Sequence, residues 1–301
     1  MQHLVVILDE SAPSFCFYPN PQKLPKMMSL DVLKKVVFFA QKRNLILNFL
    51  LGKTELHQSY IDVIDEISHL FMLDSHLSIR TLDDIVIIDL DKVDNLPTIQ
   101  NIDNIILRVN KTNIDKLSDA IISFVNSVRR INVHLLDIDL FTQTDFDRYQ
   151  QQLNKLSEIY SKTYNKELNI LTDRTVLYEM NNCDAGIKHI TVAPNGKLYI
   201  CPAFYYDNPE NTIGSVDDEI CIANKQLYRL EYAPICRQCD AFHCRRCAWL
   251  NQKTTGEVNT PSHEQCVISH LERNASRALL IQNQENDYQI PEINYLDPIE
   301  K

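Results

Sequence analysis

Seven of the nine cysteines follow a regular spacing, and they all lie in the last 120 residues of the chain. The patterned set is Cys183, Cys201, Cys236, Cys239, Cys244, Cys247 and Cys266. At its centre, two C-x2-C pairs are separated by four residues. Thiolates bind zinc and iron–sulfur clusters, and this spacing brings four sulfurs into one short loop. The sequence therefore predicts a metal-binding segment.

Disulfide bonds are the alternative use of so many cysteines, and they require an oxidising compartment. The chain starts Met1-Gln2-His3, without lysine or arginine, and the apolar run at residues 4–8 is shorter than that of a signal peptide. We therefore expect a cytoplasmic protein whose thiols are reduced and available to a metal.

Composition and charge narrow the class of protein. With 301 residues, 45% of them hydrophobic, the chain suits one large domain plus a smaller one. Thirty basic and forty acidic side chains give a net charge of −10, and no basic patch is evident for a nucleic acid. No apolar run approaches the roughly 20 residues of a membrane span. Neither a nucleic acid nor a membrane is an expected partner.

Apolar periodicity in residues 1–174 predicts an α/β fold. The candidate strands are residues 4–8, 45–51, 85–90, 105–109, 131–138 and 167–171, and the candidate helices are 30–42, 114–128 and 144–161. Strands that are apolar on both faces and followed by helices favour a parallel sheet. Periodicity leaves open whether six such units form a doubly wound sheet or a partial (β/α)6 barrel. Only five glycines occur, and no G-x-G-x-x-G follows the first strand, so no dinucleotide-binding loop is predicted.

The composition changes near residue 175, which predicts a second domain at 175–282 and a polar tail at 283–301. Residues 187–201 should form a β-hairpin around Pro194-Asn195-Gly196, with Cys183 and Cys201 near its two ends. A helix at about 264–281 should carry Cys266 at its start.

The order and number of the seven cysteines resemble the SPASM domain of radical SAM peptide-modifying enzymes. The family usually has a shorter first interval, and five and three residues where this chain has four and two. The resemblance implies two [4Fe–4S] clusters, of which one is bound by Cys236, Cys239, Cys244 and Cys266. The other would use Cys183, Cys201 and Cys247, with a fourth ligand that could be Cys221, another group or an open position.

SPASM domains normally follow a radical SAM core, which is a partial barrel of six β/α units. The resemblance therefore implies a partial barrel, and not a doubly wound sheet, for residues 1–174. The core's C-x3-C-x2-C motif should follow the first strand, where this chain has Cys16 alone. After the second strand, Gly52-x-x-Glu55 faintly resembles the family's GGE element, which holds the amino group of S-adenosylmethionine. An ordinary turn explains that short motif as well, and independent radical SAM chemistry is not expected.

A radical SAM–SPASM protein without its SAM cluster resembles the CXXX repeat peptide maturases, and this likeness covers nearly the whole chain. That family accompanies a true radical SAM enzyme and a cysteine-repeat precursor peptide. The resemblance implies a role in maturing a ribosomally made peptide. The clusters would bind the precursor, relay electrons to the partner enzyme or stabilise a binding surface.

A zinc-stabilised, non-catalytic adaptor on the same scaffold is the alternative. Two closed zinc sites need eight ligands, and His243, His263 or Cys221 could complete the seven cysteines. Four acidic residues at predicted strand ends are candidate pocket residues or ordinary helix caps: Asp89, Asp91, Asp137 and Asp139. Three arginines in the cysteine loop either offset cluster charge or are solvated: Arg237, Arg245 and Arg246. Three aromatic residues are expected to pack near the metal block: Tyr205, Tyr206 and Trp249.

Overall fold

The structure is a computed structural model that describes residues 1–22, 24–77, 83–95, 102–161 and 166–282. The predicted tail at 283–301 lies outside these residues. The chain divides into two compact units, Met1–Ile87 with Asp184–Arg229, and Ile88–Cys183 with Leu230–Lys301. The domain boundary near residue 175 stays a prediction.

The described residues form ten strands and eight α-helices. The strands are β1 (His3–Ile7), β2 (Ile46–Leu51), β3 (His69–Asp74), β4 (Ile85–Asp89), β5 (Asn104–Val109), β6 (Arg130–Leu135), β7 (Glu167–Leu168), β8 (His189–Val192), β9 (Lys197–Tyr199) and β10 (Gly214–Ser215). The helices are α1 (Leu30–Arg43), α2 (Gln58–Ile64), α3 (Leu117–Phe124), α4 (Gln143–Tyr160), α5 (Asp173–Val176), α6 (Pro202–Asp207), α7 (Ala248–Thr255) and α8 (His263–Gln282). Within this part of the chain, no helix is long and apolar enough to cross a membrane.

In the first unit, β1 pairs in parallel with β2 on one side and with β8 on the other. Strands β2, β3 and β4 continue the parallel pairing in chain order. Strands β8 and β9 form the predicted antiparallel hairpin, and Gly196 in its turn has a φ of 75°, which glycine adopts without a steric penalty. In the second unit, β5, β6 and β7 are likewise parallel and consecutive.

The order in which the strands pair decides between the doubly wound sheet and the partial barrel, which periodicity left open. A doubly wound sheet reverses its strand order, whereas barrel-type winding places each strand beside its predecessor in the chain. The parallel runs β1 to β4 and β5 to β7 follow chain order in their respective units. The predicted fold class, an α/β protein with a parallel sheet of the partial-barrel type, is confirmed.

All six strands predicted in residues 1–174 are present, but β3 in the same segment and the two-residue β10 were missed. Strand β3 escapes the sequence pattern because α2, which precedes it, spans only seven residues and leaves no long amphipathic segment to mark a unit. The helix predicted at 114–128 is also divided, since a 3-10 turn at Ile114–Lys116 precedes α3. These differences alter where the predicted β/α repeats begin and end, and they leave the fold class unchanged.

The loop after β1 lies directly against the loop after β2. Backbone N–H of Lys53 donates to Ser11 Oγ at 3.3 Å. A Cβ on Gly52 would clash with Ser11 Oγ and lie 2.7 Å from the backbone nitrogen of Ala12. Glycine is therefore required here because the two loops approach each other closely. This gives Gly52 a structural role independent of any cofactor.

Replacing Gly52 with alanine should destabilise the protein by about 1–3 kcal/mol, because the backbone of the β1 loop must move to admit the methyl group. Urea unfolding monitored by circular dichroism measures this change. Gly256→Ala is the control, since its Cβ would meet open space and only its φ of 81° opposes the change. Equal stability of Gly52→Ala and wild type would show that the loops separate freely.

Candidate metal centre

Four of the seven patterned cysteines line one cavity of about 270 Å³ in the second unit. They are Cys236, Cys239, Cys244 and Cys266, and His263 and His270 share the same wall. The volume is several times the roughly 30 Å³ that one water molecule occupies in the liquid. The cavity therefore has room for a group of several atoms enclosed by thiols.

Three of these thiols come from tight turns and the fourth comes from a helix. Cys236 begins a single 3-10 turn, in which Cys239 N–H donates to the Cys236 carbonyl at 3.1 Å. Cys244 N–H donates to the Ala241 carbonyl at 2.9 Å. Cys266 lies in the first turn of α8, where Ser262 Oγ accepts from Gln265 N–H at 3.3 Å as an N-cap.

A buried ion cluster around Asp240 holds the cysteine loop against its neighbours. The Asp240 side chain is fully buried and pairs with Arg273 at 3.0 Å, Arg277 at 2.7 Å and Arg174 at 3.7 Å. Burial opposes ionisation, but the three guanidinium groups together hold the pKa of this carboxyl below its usual value. Since two of the arginines belong to α8 and one to α5, the charge links the loop to both helices.

Burial also raises the pKa of the cavity thiols, and neighbouring thiols add to the effect. The pKa of Cys244 rises to about 11 and that of Cys266 to about 12, while that of Cys236 rises further. The thiols of the metal-free chain are therefore protonated near neutral pH. A bound cation would have to supply the positive charge that displaces their protons.

A zinc ion and an iron–sulfur cluster would require different separations of the cavity sulfurs. Among the described residues, no three or more histidine, cysteine, aspartate or glutamate side chains gather closely enough to hold one metal ion. Tetrahedral zinc, with Zn–S bonds of about 2.3 Å, needs its sulfurs about 4 Å apart. An iron–sulfur cluster takes one thiolate at each iron and so accepts sulfurs that are further apart.

His243, a candidate ligand in the sequence, is engaged with a carboxylate instead. Its Nε2 lies 3.0 Å from Glu272 Oε2, and the Tyr149 hydroxyl donates to Glu272 Oε1 at 2.6 Å. The sequence analysis did not single out His270, whose Nε2 lies 3.4 Å from Cys239 Sγ. Its spacing of four residues from Cys266, on a predicted helix, was the available signal.

The second predicted ligand set is distributed over both units. Cys183 and Cys247 belong to the second unit, where Cys183 N–H donates to the Arg245 carbonyl at 2.8 Å and Cys247 immediately precedes α7. Cys201 belongs to the first unit and precedes α6. Cys221, considered as a fourth ligand, is exposed. This second ligand set stays a prediction.

The four acidic candidates at strand ends make ordinary structural contacts. Asp89 pairs with Lys92 at 3.0 Å and Arg108 at 3.2 Å, and Asp139 pairs with Lys253 at 2.7 Å. The other two accept hydrogen bonds: Asp91 from the Asn113 side chain and Asp137 from Lys111 N–H. In these contacts the four serve as ion-pair and hydrogen-bond partners, and Asp137 precedes its 3-10 turn without a side-chain capping bond.

The arginines and aromatic residues of the cysteine-rich region differ in burial. Arg237 is exposed, whereas Arg246 is buried, donates to Asn182 Oδ1 at 2.9 Å and partly offsets the rise in the Cys236 pKa. Tyr205 and Trp249 are buried, in agreement with the expected packing role. One positive charge therefore lies beside the cavity thiols.

Comparison with known proteins shows the fold. No protein-family profile matches the chain, and no curated protein matches it. The structure of native anSMEcpe with bound AdoMet and Cp18Cys peptide is similar over 94% of this chain and 99% of that one, with 13% identity and a TM-score of 0.63. Streptococcus suis SuiB bound to precursor peptide SuiA matches over 86% of this chain and 74% of that one, with 11% identity and a TM-score of 0.47, too low to support an argument.

Replacing Asp240 with asparagine should destabilise the second unit by about 3–5 kcal/mol, because it leaves three guanidinium groups without their buried counter-charge. Denaturant unfolding measures the loss. Asp217→Asn is the matched control, since Asp217 forms an exposed pair with Lys35 and should cost less than about 1 kcal/mol. A loss no larger than the control would show that the ion cluster does not hold the loop.

Proposed function

We propose that this chain is an iron–sulfur component of a system that modifies a ribosomally made, cysteine-repeat peptide. It works beside a second enzyme that carries out the S-adenosylmethionine chemistry. The observation that carries the proposal is the cavity lined by Cys236, Cys239, Cys244 and Cys266. The proposal explains why four thiols line one cavity, although burial raises the pKa of Cys236, Cys244 and Cys266.

The fold supports a role in peptide modification. The similar structure of anSMEcpe contains AdoMet and a peptide, and the likeness extends over nearly the full length of both chains. An α/β scaffold with a cysteine-rich segment is thus compatible with binding a peptide. The sequence identity is 13%, so the substrate is proposed from the cysteine pattern and not transferred from that protein.

The loop after β1 supports the division of labour with a second enzyme. It contains Cys16 as its single cysteine, fewer than a cluster held by three thiolates requires. Helix α6 packs on this loop, since Tyr18 of the loop stacks on Tyr206 of α6 with ring centroids 5.6 Å apart. Tyr206 donates to the Glu10 carbonyl at 3.2 Å, and Tyr205 donates to the Glu10 carboxylate. The loop is therefore held by aromatic side chains of α6.

The residues of this chain would hold the cluster and control its surroundings. Cys236, Cys239, Cys244 and Cys266 are the proposed ligands, and a bound [4Fe–4S] cluster supplies one-electron transfer. Helix α8 covers one side of the cavity and limits access of water. Arg246 offsets part of the negative charge that four thiolates introduce.

Metal and sulfide analysis of protein purified without oxygen tests the cofactor. We expect about four iron and four sulfide per chain from the cavity site, and about eight of each if the second set also binds a cluster. Replacing Cys239 and Cys244 together with serine should remove about four of each, while Cys16→Ser, outside both ligand sets, should remove none. About two zinc per chain without visible absorption would instead support the adaptor.

Binding of a synthetic cysteine-repeat peptide to the cluster-loaded chain tests the substrate. Fluorescence anisotropy should show saturable binding of the labelled peptide, and weaker binding of a peptide of the same composition in scrambled order. Equal affinity for the two peptides, with and without the partner enzyme present, would contradict the proposed substrate class.

A further inference from the structure

We propose that His270 is a positioning residue that donates a hydrogen bond to the Cys239 thiolate and thereby raises the reduction potential of the cluster in the cavity. The inference rests on the proposed function, because it concerns the group that the four thiols are proposed to hold. It adds a residue that the seven-cysteine pattern does not contain.

The geometry places His270 at the ligand sulfur. Its side chain is buried, its Nε2 lies 3.4 Å from Cys239 Sγ, and it lines the same cavity as the thiols. A thiolate has no proton to donate, so in the loaded protein the Nε2 atom must carry the hydrogen of this contact. The Ala241 N–H also donates to Cys239 Sγ at 3.4 Å, so a backbone donor and the His270 ring both face this sulfur.

One face of α8 carries a proposed cluster ligand and two side chains that lie near the sulfurs of other ligands. Cys266, Ser269 and His270 are three and four residues apart, the spacing that places side chains on one side of a helix. The Ser269 hydroxyl lies within hydrogen-bonding reach of Cys244, but it also donates to the Gln265 carbonyl at 3.0 Å. The single proton of the hydroxyl is therefore shared between two acceptors, and the ring of His270 faces a different ligand sulfur, Cys239 Sγ.

A donor at a ligand sulfur has a defined effect on a cluster. Reduction adds one electron, breaks no bond and increases the negative charge on the cluster and its sulfurs. A hydrogen bond stabilises the more negative state more strongly, and such bonds to the sulfurs are among the factors that set cluster potentials. Loss of the His270 contact should therefore shift the potential to a more negative value.

The test compares His270→Leu with His270→Gln in the full-length chain reconstituted with iron and sulfide. The glutamine amide nitrogen can occupy the position of Nε2 and donate, whereas leucine fills similar space without a donor. Redox titration followed by electron paramagnetic resonance resolves each cluster signal. At a fixed potential, His270→Leu should lower the ratio of reduced to oxidised cluster in the cavity about tenfold. His270→Gln should restore most of this ratio. His76→Leu, at an exposed position, should change neither signal.

The outcomes separate this inference from the proposed function. Wild-type protein that binds no iron or sulfide would refute the proposed function before any variant is compared. Clusters that form in all proteins, with the same potential in wild type and His270→Leu, would overturn the inference alone. If His270→Leu fails to bind a cluster, His270→Asn decides the question. Its shorter amide should leave the potential lowered, and an unchanged potential would overturn the role of Nε2.

Discussion

The buried charge of Asp240 is the constraint on which the arrangement of the cysteine loop depends. The loop between Cys236 and Cys247 has one 3-10 turn and little apolar content, and Cys236 at its start packs in a small hydrophobic cluster with Met180 and Ala233. A carboxylate without access to water has to be matched by positive charge nearby. Three arginines from α5 and α8 meet that requirement at one place. The same contacts bring Cys239 and Cys244 opposite Cys266.

Desolvation opposes ionisation of both the carboxylate and the thiols, and the positive charge around each group decides the outcome. Asp240 stays ionised because its partners are fixed, whereas the cavity thiols are held protonated and have no comparable counter-charge. A cofactor with net positive iron centres would complete the electrostatics of the site. Helix α8 contributes to both parts, since it carries Arg273 and Arg277 toward the carboxylate and Cys266 toward the cavity. The site is thus assembled on one helix and a loop.

In the two loops that follow β1 and β2, residues that resemble a cofactor-binding motif are explained by the packing of the loops. Gly52 is needed because the β1 loop approaches too closely for any side chain. The β1 loop is held by Tyr205 and Tyr206, which donate to Glu10, and by the stacking of Tyr18 on Tyr206. A glycine after a strand is therefore weak evidence for a cofactor, while the number of cysteines in a loop directly limits the cluster it can hold.

The grouping of Cys236, Cys239, Cys244 and Cys266 was implied by the resemblance to the SPASM domain. The amino-acid sequence by itself determined the α/β class, six of the strands, the hairpin at Gly196 and the cysteine-rich segment. These features depend on local periodicity, turn preferences and spacing, which are legible in a linear pattern. Strand β3, the consecutive strand order and the positions of Asp240 and His270 were decided by tertiary structure. Each depends on contacts between residues distant in the chain, such as Asp240 with Arg174 and Cys239 with His270. Side-chain pairing across 30 or more residues leaves no periodic signal, because many pairings share the same local sequence.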